Sequence, residues 1–375
     1  MTKTLKDMME ARAGAAPGPQ LDIDAMVRAG RRRVWRHRAL GGAATGAVLA
    51  AALLVASSLH LVSDEPGISG SGAFVVRKAV TYTEDSTVHY GDQEITVPHE
   101  IRSFVQTDDG FVFTDGDATI YFTNGHDTAA IGHGGGYTTL HVDDSGSYVA
   151  WIEFDDGELP ELVVYDTSRG AEILRTSDGN GDGPGYLSDY DMPSVGPIDG
   201  DTLYSRNAKG VVAIDIASGE STVVIGPDED AFLEDATGGW IAHTRNGDLT
   251  VSPTSGGTEI RLPNLEYGDL SPSGTAVSAY TDSRRPGRDD HLRVFDVATT
   301  TDVTPDWGDD YEYVGMVSWI DDATLVVYGA PGNRPVDLLR CSITSGDCVV
   351  AVPSAGYYRG PGDFRLPSGG DPEGS

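Results

Sequence analysis

Two patterns of hydrophobic and polar residues divide the chain. From Ala39 to Val62 the sequence ALGGAATGAVLAAALLVASSLHLV runs for 24 residues without a formal charge, with His60 near its end. As a helix it would reach roughly 36 Å, enough to cross the ~30 Å hydrocarbon core of a bilayer. The pattern therefore predicts a transmembrane helix over 39–62. Beyond Phe74 the period changes to two, in short runs such as Phe111-Val-Phe-Thr, Ser147-Tyr-Val-Ala-Trp-Ile and Thr324-Leu-Val-Val-Tyr. Alternation of this kind, bounded by Gly, Asp and Ser, predicts β-strands, and no helical period longer than a turn or two interrupts it.

The strands recur as a unit. A turn signal precedes an alternating run at Asp108-Asp-Gly, Asp143-Asp-Ser-Gly, Ile198-Asp-Gly, Ala236-Thr-Gly-Gly, Ser271-Pro-Ser-Gly and Ile320-Asp-Asp. A further strand then ends in an apolar residue, Asp and a Ser/Thr/Gly turn, as in Leu162-Val-Val-Tyr-Asp-Thr-Ser-Arg-Gly, Val211-Val-Ala-Ile-Asp-Ile-Ala-Ser-Gly and Leu292-Arg-Val-Phe-Asp-Val-Ala-Thr. Short strands such as Ala171-Glu-Ile-Leu-Arg, Ser221-Thr-Val-Val-Ile and Cys348-Val-Val-Ala-Val close the unit. Four hairpin-linked strands per repeat describe a propeller blade. A single such sheet cannot cover both of its faces, so it must stack on neighbours, and closing the ring removes the exposed ends of the array.

The expectation is an all-β, seven-bladed β-propeller, six blades being the alternative count. Its blades fall near 74–98, 100–132, 138–176, 192–226, 231–263, 267–304 and 313–353. The first blade is incomplete. Either Phe74-Val-Val-Arg joins the last blade, or Tyr357–Leu366 joins the first.

The apolar-Asp-x-x-Ser-Gly turn and the Ser-Pro-Ser-Gly turn resemble those of TolB-type, WD-repeat-like β-propellers over residues 74–353. The Gly-His…Trp-Asp pair of WD repeats is absent, and three units carry a clear Tyr/Ile/Phe-Asp dipeptide. The resemblance implies the propeller fold and a role in binding, without naming a partner.

Charge sets the orientation. The 375 residues hold 26 Lys+Arg against 58 Asp+Glu, a net charge of −32, which argues against a nucleic-acid partner. Residues 1–38 nevertheless carry nine cations, six of them among Arg28, Arg31, Arg32, Arg33, Arg36 and Arg38, against four carboxylates. The remainder holds 17 cations and 54 anions. A basic flank before the apolar segment and Asp64-Glu65 after it place the N-terminus in the cytoplasm and the C-terminal domain outside the cell membrane. A cleaved signal peptide is the competing reading, but its basic region is normally much shorter than 38 residues. The expected organisation is a cytoplasmic basic tail (1–38), a single-pass helix (39–62) contacting the lipid bilayer, a linker (63–73), a propeller ectodomain (74–366) and a disordered tail (367–375).

Candidate chemistry is sparse. Cys341 and Cys348 bracket a hairpin turn, so residues facing each other across it fall within disulfide reach, and an extracytoplasmic address favours oxidation. Asp178-Gly-Asn180-Gly-Asp182-Gly183 places oxygen ligands at loop positions 1, 3 and 5 and Gly at 6, with Asp189 at 12. That order implies calcium as a cofactor, although Asp189 replaces the usual bidentate Glu and no flanking helices are predicted. A Gly/Asp-rich surface loop is the competing reading. Arg284, Arg285 and Arg288 stand together on an otherwise anionic domain and suit an acidic ligand.

Gly132-His133-Gly-Gly-Gly is similar to an esterase oxyanion element, but the chain lacks the Gly-x-Ser-x-Gly elbow, so an inter-blade connection is expected there. His133, His141 and His243 could meet at the ring's axis, although separate inner-strand positions are the simpler expectation. No catalytic residue is assigned. The functional expectation is a membrane-anchored extracytoplasmic scaffold binding a protein or cell-envelope glycan, with a propeller hydrolase or lyase acting at the axial mouth as the alternative.

Overall fold

The computed structural model describes residues 72–74, 79–135, 138–153, 160–177, 194–207, 209–227, 231–245, 247–281, 292–332, 334–356 and 364–368. Within them the period-two segments form seven antiparallel sheets. Blade 1 contains β1 (Thr81–Glu84), β2 (Thr87–Tyr90) and β3 (Gln93–Thr96). Blade 2 contains β4 (Ser103–Gln106), β5 (Phe111–Thr114), β6 (Thr119–Thr123) and β7 (Thr128–His133). Blade 3 contains β8 (His141–Val142), β9 (Tyr148–Glu153), β10 (Glu161–Asp166) and β11 (Ala171–Thr176). Blade 4 contains β12 (Ser194–Asp199), β13 (Thr202–Asn207), β14 (Gly210–Asp215) and β15 (Ser221–Ile225). Blade 5 contains β16 (Ala231–Thr237), β17 (Trp240–Arg245), β18 (Asp248–Pro253) and β19 (Ile260–Pro263). Blade 6 contains β20 (Leu265–Leu270), β21 (Ala276–Thr281) and β22 (Leu292–Asp296). Blade 7 contains β23 (Tyr313–Asp321), β24 (Thr324–Ala330), β25 (Val336–Ser342) and β26 (Cys348–Gly356).

The strand order closes the ring from the C-terminus. Strand β27 (Phe364–Arg365) pairs antiparallel with β1, Thr83 opposite Arg365 and Glu84 opposite Phe364. It takes the innermost place in blade 1, so the second of the two closures allowed by the sequence is the one adopted. Phe74 is not part of a strand. Its ring packs 5.6 Å from Tyr90 and 5.2 Å from Phe111, filling the seam between blades 1 and 2. Blade 6 departs from the four-strand rule: beyond β22, Asp302 makes an isolated bridge to Phe295. Pro305 follows, and without an N–H it cannot extend the ladder.

What holds the ring together is one apolar cluster per seam. Phe104, Phe111 and Val88 lie between blades 1 and 2, and Trp151, Phe122 and Val163 between 2 and 3. Ile152, Leu162, Ile198 and Leu203 join blades 3 and 4; Tyr204, Val211 and Ile241 join 4 and 5. Leu249, Val251, Leu270 and Val277 join blades 5 and 6, while Val294, Trp319 and Leu325 join 6 and 7. The seventh cluster, with Phe364, Tyr328 and Leu338, seals blade 7 to blade 1. Each sheet thus buries both faces against neighbours, as its two-sided apolar composition requires. The outermost strands carry the solvent boundary, β15 being exposed along nearly its whole length.

Polar turns on one face bolt the blades together. Asp109 Oδ2 accepts from Thr167 Oγ1 of blade 3 at 3.2 Å, Asp199 Oδ2 from Gly239 N of blade 5 at 2.9 Å, and Asp322 Oδ1 from Ser273 N of blade 6 at 2.9 Å. Between blades 5 and 6, Thr237 Oγ1 donates to Pro272 O at 3.2 Å. Close approach here requires Gly238: at φ +60°, an added Cβ would lie 2.6 Å from the Ser273 backbone. The recurring apolar-Asp turn also has a local cause. Asp215 Oδ1 accepts from Ser218 N at 2.7 Å, and Asp296 Oδ1 from Thr299 N and Oγ1 at 2.8 and 2.7 Å. These hydrogen bonds favour the charged form and hold both carboxyls below the usual aspartate range.

Candidate functional site

The innermost strands converge on an axial cavity of roughly 190 Å3. Every blade contributes to its lining: Thr81, Gln106, His141, Pro197, Asp235, Asp269 and Ser318 in ring order. Four of these positions share one backbone device. Strands β12, β16, β20 and β23 carry an extra residue against their partner strand between Val195 and Ile198, Leu233 and Asp235, Glu266 and Asp269, and Met316 and Ser318, β23 having a second between Trp319 and Asp321. A bulge of this type bends the strand and re-aims the side chains beside it. Pro197, Asp235, Asp269 and Ser318 stand within or at the end of those bulges.

The chemistry of the cavity is restrained. Asp235 Oδ2 accepts from Leu270 N of the next blade at 2.8 Å and Oδ1 from Ala236 N at 2.8 Å, so this carboxylate ties two inner strands together. Thr81 Oγ1 donates to Gln106 Oε1 at 2.8 Å, joining blades 1 and 2 in the same way. Half-buried in the cavity wall, His141 is desolvated, which lowers its pKa to about 4 and leaves a neutral imidazole at pH 7. His133 lies on outer strand β7 and is exposed, while His243 is buried on β17. The three histidines therefore do not meet. Among the described residues no group of three or more His, Cys, Asp and Glu side chains is placed to hold a metal ion.

The Gly132-His-Gly-Gly segment ends β7 and enters the connection to blade 3. A Cβ at Gly132 would lie 2.7 Å from the Trp151 ring, so glycine is needed there for packing.

The face on which the inner strands begin presents a different surface. Phe232, Tyr267 and Tyr313 occupy the second, third and first positions of β16, β20 and β23 and are 47%, 61% and 36% exposed. Three consecutive blades thus place an exposed aromatic side chain at the same rim. Arg206 lies over the Phe232 ring at 4.6 Å from its centroid, Tyr280 stands edge-on to Tyr267 at 6.4 Å, and Tyr328 backs Tyr313 at 5.8 Å. Tyr267 is held outward by the β20 bulge, with φ +58°. Beneath it Glu266 is buried, and burial together with the Glu266 charge raises the Glu234 pKa above the usual carboxyl range.

The sequence-predicted sites fall into two groups. Cys341 and Cys348 face each other across β25 and β26 with Cα atoms 4.1 Å apart and form the expected disulfide. Asp178, Asn180, Asp182 and Asp189 lie outside the described residues, as do Arg284, Arg285 and Arg288 and the segments 1–38 and 39–62. The connections that carry the first two sets leave from β11 to β12 and from β21 to β22, whose ends lie on the aromatic-rimmed face. Among the described residues no helix is long and apolar enough to cross a membrane.

A closed ring of seven radial antiparallel sheets defines a seven-bladed β-propeller. No family model and no curated protein matches the chain. Solved structures similar to it include TolB from Acinetobacter baumannii, with 16% identity over 79% of this chain and 67% of that one, TM-score 0.42. Others are a putative TolB from Agrobacterium tumefaciens, at 11% identity over 60% and 86% of the two chains, TM-score 0.41, and the C-terminal WD40 domain of Sif2, at 11% over 76% and 85%, TM-score 0.47. The strand order itself, rather than these distant likenesses, establishes the architecture.

Proposed function

We propose that the protein is a membrane-anchored, extracytoplasmic propeller that acts as a binding scaffold for a protein or cell-envelope ligand, engaged on the face where the inner strands begin. The observation that carries this reading is the asymmetry of the disc. On the opposite face Asp109, Asp199, Thr237, Ser273 and Asp322 are consumed in blade-to-blade hydrogen bonds. On this face three blades expose an aromatic side chain, and the β11–β12 and β21–β22 connections depart from it. Exposed aromatic residues supply contact area at low entropic cost, and insertions on a repeat scaffold collect on the binding face.

The axial alternative, a hydrolase or lyase, is less well supported. Among the described residues two carboxylates line the cavity, Asp235 and Asp269, and paired acid and base work needs both, whereas both Asp235 oxygens already accept backbone N–H groups. Calcium at Asp178, Asn180, Asp182 and Asp189 belongs to the same proposal as a stiffener of the blade 3 to blade 4 connection. Isothermal titration should show heat for the wild type that Asp178→Ala and Asp182→Ala abolish; a silent wild type removes calcium from the scheme.

The scaffold reading is tested by placing a photo-crosslinking amino acid at Tyr267 or Tyr313, and for comparison at Val223 or Val349 on the outer strands, in the full chain in cells. Discrete adducts from the first pair and none from the second are expected. Equal labelling from all four positions, or none from any, overturns it.

A further inference from the structure

The rim of blades 6 and 7 combines two properties that together specify a partner's chemistry. Tyr267 and Tyr313 are exposed, each braced by a second ring, Tyr280 or Tyr328. The connection leading into β23 reads Asp306-Trp-Gly-Asp-Asp-Tyr-Glu-Tyr313, and Asp309, Asp310 and Glu312 are all exposed. Tyr311 in the same stretch does not join the exposed surface. Its hydroxyl donates to Asp337 Oδ2 at 3.1 Å, and burial and that carboxylate raise its pKa to about 12. Arg334, the cation of the adjoining turn, donates its Nε–H to Pro331 O at 3.3 Å and so leans on its own loop.

We propose that this rim binds a basic segment of a partner protein, lysine or arginine side chains settling on the Tyr267 and Tyr313 rings while Asp309, Asp310 and Glu312 neutralise them. The proposal rests on the scaffold reading and adds the class of partner. Cations are drawn to the negative face of an aromatic ring, and complementary charge raises the rate of encounter. The surrounding protein favours the same sign, since residues after 38 carry 54 anions and 17 cations. A neutral glycan would stack on the tyrosines and donate hydroxyl hydrogen bonds to the carboxylates, but, carrying no charge, its binding would not weaken as salt rises.

The test uses the full chain in detergent micelles and fluorescence anisotropy with labelled octa-arginine, octa-glutamate and a chito-oligosaccharide, at low and at moderate salt. Octa-arginine should bind, with affinity falling as salt rises. Tyr267→Ala with Tyr313→Ala should weaken it about tenfold. Asp309→Asn, Asp310→Asn and Glu312→Gln together should weaken it at least as much. A charge-matched control on the opposite face, Asp201→Asn, Glu220→Gln and Glu259→Gln, should have little effect. Equal loss from both triple variants would show nonspecific attraction to an acidic protein and overturn the proposal. So would octa-arginine binding indifferent to the tyrosines, or tyrosine-dependent binding of the oligosaccharide or octa-glutamate instead. Adducts at Tyr267 without any preference for the basic probe would leave the scaffold standing and remove only the basic partner. Unchanged thermal melting of the carboxamide variants separates lost binding from lost folding.

Discussion

Isolated side chains at the centre of the ring carry the clearest linkage to pH. His141 takes its proton near 6.5 in an unfolded chain but only near 4 in the cavity. Between those values the unfolded state binds the proton, so stability falls as pH is lowered through that window. In His141→Gln this part of the acid dependence should vanish, which urea midpoints measured from pH 7 to pH 4 in wild type and variant would reveal. Parallel curves would mean that the imidazole is solvated. Glycine at 238 is the matching steric case. Alanine there meets the Ser273 backbone and a left-handed φ, and should lower stability by about 2 kcal/mol or more. A melting temperature within a degree of wild type would contradict the close approach of the two turns.

Elements were legible in proportion to how local their causes are. The second and third strands of each blade carry alternating β-branched and aromatic residues between Gly and Asp turns, and β5, β9 and β24 start within a residue of the Phe111, Ser147 and Thr324 runs. The Asp turns at 166, 215 and 296 were equally visible, because the carboxylate caps its own turn. The innermost strands were the weak point. Gly196-Pro197 and Tyr267-Gly268 break the alternation, and a broken alternation looks like a strand end; in three dimensions it is a bulge that turns Pro197 and Asp269 to the axis. The doublets were the available signal.

Strand β27 was narrowed to two options by the missing member of blade 1, and only pairing chose between them. Its contribution is measurable. Phe364 is 3% exposed at the seam of blades 7 and 1, so Phe364→Ala should cost about 3 kcal/mol, read from denaturant midpoints. A change below about 0.5 kcal/mol would show that the ring does not depend on its C-terminal closure.

At the scale of the whole molecule, the proposed topology makes a direct prediction. A protease added to intact cells should degrade the propeller, beginning at its surface connections, while a cytoplasmic marker survives. Protection of the large C-terminal part until the cells are lysed would reverse the assigned orientation, though not the fold. Period-two strands, repeated turns, the Cys341–Cys348 hairpin and the strong acidity all follow from neighbours in the chain, and so the amino-acid order alone determined the blade and the facing cysteines, while the count of seven against six was decided by closure of the ring. The axial cavity, the interlocked face and the aromatic rim belong to the tertiary structure. Each assembles single residues from blades some 40 positions apart, such as Phe232, Tyr267 and Tyr313, and no local period records which side chains a closed ring will bring to the same edge.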